Sequence, residues 1–209
     1  MDLLDVTLHP SPSILTSLTG DYSRDTAAKG VPQNSEFVFA KPGGVIDLYT
    51  SDATTGALKL LASTSVFATL RSVCNYRIQG AKRDYLVVGC DSGAVTVLKY
   101  DDDCNLVVVN CEVFGKTGVR RPVPGQYVCA EPHGRAVMVA AVEKSKLVYV
   151  MNRDNEGKSV ISSPLEANKG NTVTFDVQVS PGSEARGASA HSEAYAPRKV
   201  LASSFALVY

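Results

Sequence analysis

The chain has 209 residues, of which 44% are hydrophobic and 20% charged, a composition that supports a packed core and argues against wholesale disorder. Twenty-one basic residues balance twenty-one acidic ones, which excludes a global positive field drawing the chain onto nucleic acid. The first residues carry neither a basic stretch nor a long apolar run, which speaks against a secretory signal or a membrane span.

Apolar residues fall in short runs rich in Val, Leu, Tyr and Thr, bounded by Gly, Pro, Asp and Asn, and helical periodicity is scarce. Three of these runs read as similar hairpins. In chain order they are EFVFAKPGGVIDLYT (36–50), DYLVVGCDSGAVTVLKY (84–100) and RAVMVAAVEKSKLVYVM (135–151). Their turns are expected at Gly43-Gly44, Ser92-Gly93 and Lys144-Ser145, a spacing of roughly 50 residues that matches propeller blades. Glycine supplies the positive φ that tight hairpins need, and Asp91-Ser92-Gly93 is a favourable turn sequence.

Further strands are expected around each hairpin, at 57–65, 70–78, 106–113, 126–131 and 173–179, which gives about four per repeat. The runs 86–89 and 137–142 are almost continuously apolar, as strands covered on both faces are. The predicted fold is therefore all-β, a β-propeller of about three blades and the start of a fourth. A β-sandwich, the alternative, would show cleaner in-out alternation. Loops are expected at 24–35, 152–158 and 181–197, the last rich in Ser, Ala, Gly and Pro. Propellers usually close with four to eight blades, and the chain stops on the apolar strand SSFALVY. Residues 1–209 are therefore expected to be a partial N-terminal propeller, completed by blades downstream or supplied from elsewhere.

Candidate chemistry is sparse. Gly115-Lys116-Thr117 resembles the end of a phosphate loop, but Asn110 stands where the motif needs glycine and prolines break the stretch after it, so it reads as a loop between blades. Lys116, Arg120 and Arg121 form a compact basic cluster, readable either as a contact for an acidic partner surface or phosphate, or as a solvated loop. His9, His133 and His191 are scattered and lack neighbours at metal-ligand spacing. Asp101-Asp102-Asp103 lacks the calcium-loop pattern and reads as a hairpin turn. Ser11-Pro12, Ser163-Pro164 and Ser180-Pro181 are weak sites for proline-directed phosphorylation. Cys74, Cys90, Cys104, Cys111 and Cys129 are odd in number with no C-x-x-C pair, as expected of reduced intracellular thiols, with Cys74, Cys90 and Cys129 inside apolar strand patterns. No cofactor, metal site, small-molecule substrate or enzymatic activity is expected.

The run from Phe114 to Asp154, FGKTGVRRPVPGQYVCAEPHGRAVMVAAVEKSKLVYVMNRD, together with ISSPLEANKGNT (161–172), closely resembles the splicing branch of the large multi-propeller scaffold family. That family also includes the large damaged-DNA-binding adaptor of ubiquitin ligases and the large subunit of the polyadenylation specificity factor. LRSVCNYRIQG, KRDYLVVGCDSGAVTVLKY and the N-terminal LLDVTL, expected to open the first strand, agree in outline. From residues alone, 161–172 reads as a strand end, a proline stop and a polar connection. Residues 24–35 and 180–198 depart from the family pattern.

The resemblance implies an N-terminal seven-bladed propeller with two more beyond it and a helical tail. It also implies a nuclear scaffold in splicing factor 3b of the U2 small nuclear ribonucleoprotein. Such a scaffold would clasp a HEAT-repeat subunit and its small partner subunit and meet U2 RNA mostly indirectly. A propeller adaptor of a ubiquitin ligase or chromatin complex is the alternative. A propeller hydrolase would need clustered carboxylates that no readable spacing provides.

Overall fold

A computed structural model describes residues 13–23, 35–52, 54–78, 81–113, 126–153, 159–162, 165–180 and 204–208. These residues form strands and turns, with no helix among them. The first sheet is an antiparallel meander of β1 (Thr16–Gly20), β2 (Glu36–Ala40), β3 (Val45–Ser51) and β4 (Leu58–Ser65). The second repeats it with β5 (Leu70–Tyr76), β6 (Tyr85–Cys90), β7 (Ala94–Tyr100) and β8 (Leu106–Val113). In the third, β9 (Tyr127–Ala130), β10 (Ala136–Ala140) and β11 (Glu143–Arg153) lead to an outer strand in two pieces, β12 (Ser159–Ile161) and β13 (Leu165–Val173). β14 (Asp176–Ser180) pairs with β15 (Ser204–Val208).

Contacts between sheets reveal the radial order. β1 touches β5, β5 touches β9 and β9 touches β14, so the first strand of each unit lies against the first strand of the next. At the other end β4 touches β8, and β8 touches β12. This is the arrangement of propeller blades, inner strand beside inner strand and outer beside outer.

The continuous apolar runs now have a physical cause. Along β6, Leu86, Val88 and Cys90 pack into the core shared with the first blade, whereas Val87 packs into the core shared with the third. β7 divides likewise, Leu98 and Tyr100 to one side and Val95 and Val97 to the other. In β10, Val137 and Val139 face the second blade while Met138 and Ala140 face Val177 of β14. Because side chains alternate across a strand, a blade covered on both faces buries both sets of side chains, and its centre is largely apolar, with Thr96 of β7 buried between Val95 and Val97.

The hairpin turns obey glycine chemistry. Gly44 and Gly93 have φ of +85° and +77°, each closing a short loop in which its own N–H donates back to Lys41 or Cys90. At Gly44 no other residue fits, because a Cβ there would lie 2.5 Å from the carbonyl oxygen of Ala68. The Asp101–Asp103 segment forms the expected turn, with the Asp101 N–H donating to Asn105 O and the Asn105 N–H to Asp101 Oδ1. Its left-handed position is held by Cys104, at φ +63°. A side chain in that region costs about 1–2 kcal/mol, so Cys104→Gly should stabilise the fold by about 0.5–1 kcal/mol after glycine's own entropic penalty. Urea denaturation of the two proteins side by side would check this.

Three expectations need correction. The third hairpin does not turn at Lys144-Ser145. β11 begins at Glu143, and Lys144 and Ser145 pair with Lys169 and Asn168 of β13, which leaves the turn at Ala141 and Val142. The loop expected at 152–158 starts later, because Asn152 and Arg153 pair with Val160 and Ser159 of β12. Most of 161–172, expected as a connection into a strand at 173–179, is the outer strand itself, and the next strand is β14. An outermost strand has one solvent face and one free edge, so a polar sequence such as EANKGN can form it without the apolar pattern of a core strand. LLDVTL, the loop expected at 181–197 and all but Ser35 of the loop expected at 24–35 lie outside the described residues.

Candidate protein-interaction face

A meander places alternate connections at opposite ends of the blades. One end carries the β2–β3, β6–β7 and β10–β11 turns and the β4–β5 connection. The other carries the β3–β4, β5–β6, β7–β8 and β9–β10 turns.

The second end gathers buried carboxylates, and those of Asp84, Glu36 and Glu131 serve the backbone. Asp84, just before β6, accepts the Asp21 N–H at 2.9 Å and both Arg77 Nε and Nη2, at 2.6 and 2.8 Å. Asp21, after β1, lies 3.6 Å from Arg77 Nη2, and the Asp84 N–H donates to Asp21 O. One guanidinium thus serves two buried carboxylates on neighbouring blades. Glu36, fully buried at the start of β2, accepts the N–H groups of Tyr22 and Ser23 and the Ser23 hydroxyl.

Tyr22 lies across Gly20, where a Cβ would come within 2.8 Å of the ring, and donates its hydroxyl to Asn75 Oδ1 on the next blade. Burial first, and then the nearby carboxylates of Asp84, Glu36 and Asp21 with the Cys74 thiol, push the Tyr22 phenol far above its ordinary range. In the β9–β10 turn, Glu131 accepts the His133 and Arg135 N–H groups and meets His133 Nδ1 and Arg135 Nη2 at 2.6 and 2.9 Å. His133 is therefore a turn residue, held by Glu131. The Tyr76 hydroxyl donates to Gly134 O and ties the second blade to the third.

At the first end the charges also occur in pairs. Arg71 grips Asp91 through Nε and through Nη2 at 2.7 Å, and Lys41 Nζ lies 2.6 Å from Asp47 Oδ2, whose other oxygen accepts the Ser63 hydroxyl. The hydrogen bond to Asp47 holds the Lys41 ammonium above the usual lysine range. Between these pairs the β4–β5 connection lifts Phe67 into solvent with 95% of its surface exposed, at φ +52°. A left-handed backbone costs a phenylalanine about 1–2 kcal/mol, and exposing the ring forgoes its burial.

The sequence-derived contact residues Lys116, Arg120 and Arg121 lie outside the described residues. So do Gly115 and Thr117, His9, His191 and the prolines of the three Ser-Pro dipeptides. Phe67, Arg77 and Asp84 do not stand out in the sequence. The available signal for that pair is their position at the end of the strand expected at 70–78 and the start of the hairpin expected at 84–100, whereas nothing in the string Ser-Val-Phe-Ala announces a positive φ.

The thiols divide by position. Cys90 is buried, Cys74 and Cys129 are half-buried, and Cys104 and Cys111 are exposed. Burial, with smaller contributions from Cys111 and Asp91, raises the Cys90 thiol to about 11, and burial pushes Cys74 higher still. Cys104 and Cys111 should therefore react with a thiol reagent in the native protein, and Cys74 and Cys90 only after unfolding.

The same burial sets a pH dependence. Above about pH 9 an unfolded thiol gives up its proton while folded Cys90 keeps its own. The native state then binds more protons than the unfolded one, so stability falls as pH rises, and Tyr22 adds to the loss above about pH 10. Urea midpoints between pH 8 and 10.5 should decrease steadily. A flat profile would contradict the burial of these groups.

Comparison with known proteins sets this geometry in a family. Residues 13–180 match the family model described as RSE1/DDB1/CPSF1 first beta-propeller. The chain is 42% identical over 176 residues to Splicing factor 3B subunit 3 of Drosophila melanogaster, covering 84% of this chain and 14% of that protein. It is 41% identical over 178 residues to Spliceosome-associated protein 130 A of Arabidopsis thaliana, covering 85% of this chain and 14% of the relative. With Pre-mRNA-splicing factor prp12 of Schizosaccharomyces pombe it shares 43% identity over 164 residues, 77% of this chain and 14% of the relative. The chain thus spans 14% of the length of each of these relatives. With repeated four-stranded sheets packed inner strand to inner strand and a model match that runs from β1 through β14, the chain belongs to the RSE1/DDB1/CPSF1 first β-propeller family.

Proposed function

We propose that this chain is a non-enzymatic scaffold of pre-mRNA splicing, acting within the splicing factor 3b complex of the U2 small nuclear ribonucleoprotein in the nucleus. The observation that carries this reading is identity of 41–43% to proteins named as splicing factors in an insect and a fission yeast and as a spliceosome-associated protein in a plant. Its partners are a HEAT-repeat subunit and its small companion, contacted protein to protein in support of branch-site recognition, with U2 RNA met mostly through them. In this reading the three sheets and the β14–β15 pair are part of a larger seven-bladed ring.

Two physical features favour a scaffold over a catalyst or an RNA reader. The buried carboxylates Glu36, Asp84 and Glu131 accept backbone N–H groups in turns and between blades, a structural employment that leaves them committed. The formal net charge is zero, so affinity must come from shape and a few anchors rather than from a field.

Affinity capture of the tagged protein from nuclear extract tests the reading. The HEAT-repeat subunit, its small partner and U2 RNA should be recovered together, whereas a cullin scaffold without them would overturn it in favour of a ubiquitin-ligase adaptor. Lys116, Arg120 and Arg121 are proposed as partner contacts on the sequence cluster. Reversing all three to glutamate should lower recovery of the protein partners severalfold without changing the melting temperature.

A further inference from the structure

Phe67 combines two features that folding alone does not favour, an almost fully exposed aromatic ring and a left-handed backbone. The loop beneath it is fixed. The Val66 N–H donates to Gly44 O at 2.9 Å, the Phe67 N–H to Ser65 Oγ at 3.2 Å and the Asp91 N–H to Thr69 O at 3.0 Å. Ala68 presses against Gly44 so closely that only glycine is accommodated there. The ring is therefore projected from a braced base, already in position for a partner, which lowers the ordering cost of binding.

The geometry points to Phe67 as the anchor of a docking surface for a second, different protein that offers an apolar pocket in weakly charged surroundings. Charge decides the class of partner. The cations flanking the connection, Arg71 and Lys41, are engaged by Asp91 and Asp47, so the rim is locally neutral and suits an uncharged protein surface. A single-stranded nucleic acid could stack a base on the ring, but such grooves track the backbone with cations available to phosphate, and these two are committed. A second copy is disfavoured because a two-fold contact needs knob and pocket on one patch. The exposed residues of the flanking turns are Pro42, Gly43 and Ser92, which carry no large apolar side chains to line a pocket. A buried aromatic ring in a pocket is the usual form of an interface hot spot.

This inference deepens the scaffold reading and rests on it. The test uses the protein tagged at its own locus, with Phe67 replaced by p-benzoylphenylalanine for photo-crosslinking, and separately the variants Phe67→Gly and Phe67→Leu. The expected crosslink is to an apolar pocket of one partner protein, and Phe67→Gly should weaken that partner's binding by at least tenfold. Phe67→Leu should retain much of the affinity. The melting temperature of Phe67→Gly should equal or exceed that of the parent, because the strained backbone is relieved. A purely structural residue would instead lose stability and binding together, and that result would overturn the proposal.

Crosslinking to RNA or to a second copy would also overturn it, as would unchanged binding with no crosslink. Failure of the scaffold reading is a separate result, since it would show as loss of splicing partners from the unsubstituted protein.

Discussion

Leu86→Ala should lower the unfolding free energy by about 2–5 kcal/mol, the range for truncating a fully buried leucine. Leu86 has 0% of its surface exposed and sits in β6, paired with Asn75 on one side and Leu98 on the other. It belongs to the core that also holds Val38, Ile46 and Leu48 of the first blade. The lost methyl groups leave a cavity at the contact between two sheets, and the paired backbone on both sides of β6 limits how far the site can collapse. The expected readout is a lower urea midpoint with an unchanged slope. A loss below ~1 kcal/mol would mean that the first two blades are not packed on each other through this strand.

The second large effect is expected at the seam between the same two blades. Asp84→Ala removes the acceptor for the Asp21 N–H and for two nitrogens of Arg77, and leaves the Asp21 carboxylate to share a guanidinium that has lost its anchor. Breaking a buried ion pair from one side costs about 3–5 kcal/mol. Arg77 is 40% exposed and can recover some hydration, so about 2–3 kcal/mol is expected here. Asp84→Asn keeps an oxygen for the Asp21 N–H but loses the charge, and should fall between the parent and the alanine variant. The order parent, asparagine, alanine in thermal unfolding is the check. Equal loss for both substitutions would assign the whole effect to the charge on Arg77.

Both sites show what sequence can and cannot convey. The three hairpins are legible because glycine at the turn and unbroken Val-Leu runs have one physical meaning each: a left-handed backbone, and burial on both faces. Strand β1, Thr-Ser-Leu-Thr-Gly, carries little apolar signal because only its last residue is fully buried, so it does not announce itself. β13 reads as a connection because an outer strand needs no core pattern. The third turn is misplaced by sequence because Lys144-Ser145 has turn chemistry, yet cross-strand pairing with β13 outweighs that local preference. Arg77 and Asp84 look like ordinary surface charges until the meander brings Asp21 beside them. Phe67 looks like one more apolar residue between strands, since backbone sign is a property of the folded connection and not of the letters.

The division of β6, β7 and β10 between two cores has a consequence for how the molecule comes apart. A sheet packed on one side can detach and leave its neighbours intact. Here the middle sheet donates residues to the seams on both of its sides, so losing it would strip solvent protection from the sheets before and after it. Opening is then costly in the interior of the array and cheap at its rim, as in a row of magnets held by adjacent faces. Amide exchange should accordingly be slowest in Leu86–Gly89 and Val95–Leu98, in the two central strands of the middle sheet, and fastest along the outer strands β4 and β13. Binding at the Phe67 end would brace the link between the first two units and would slow exchange in strands that the partner never touches.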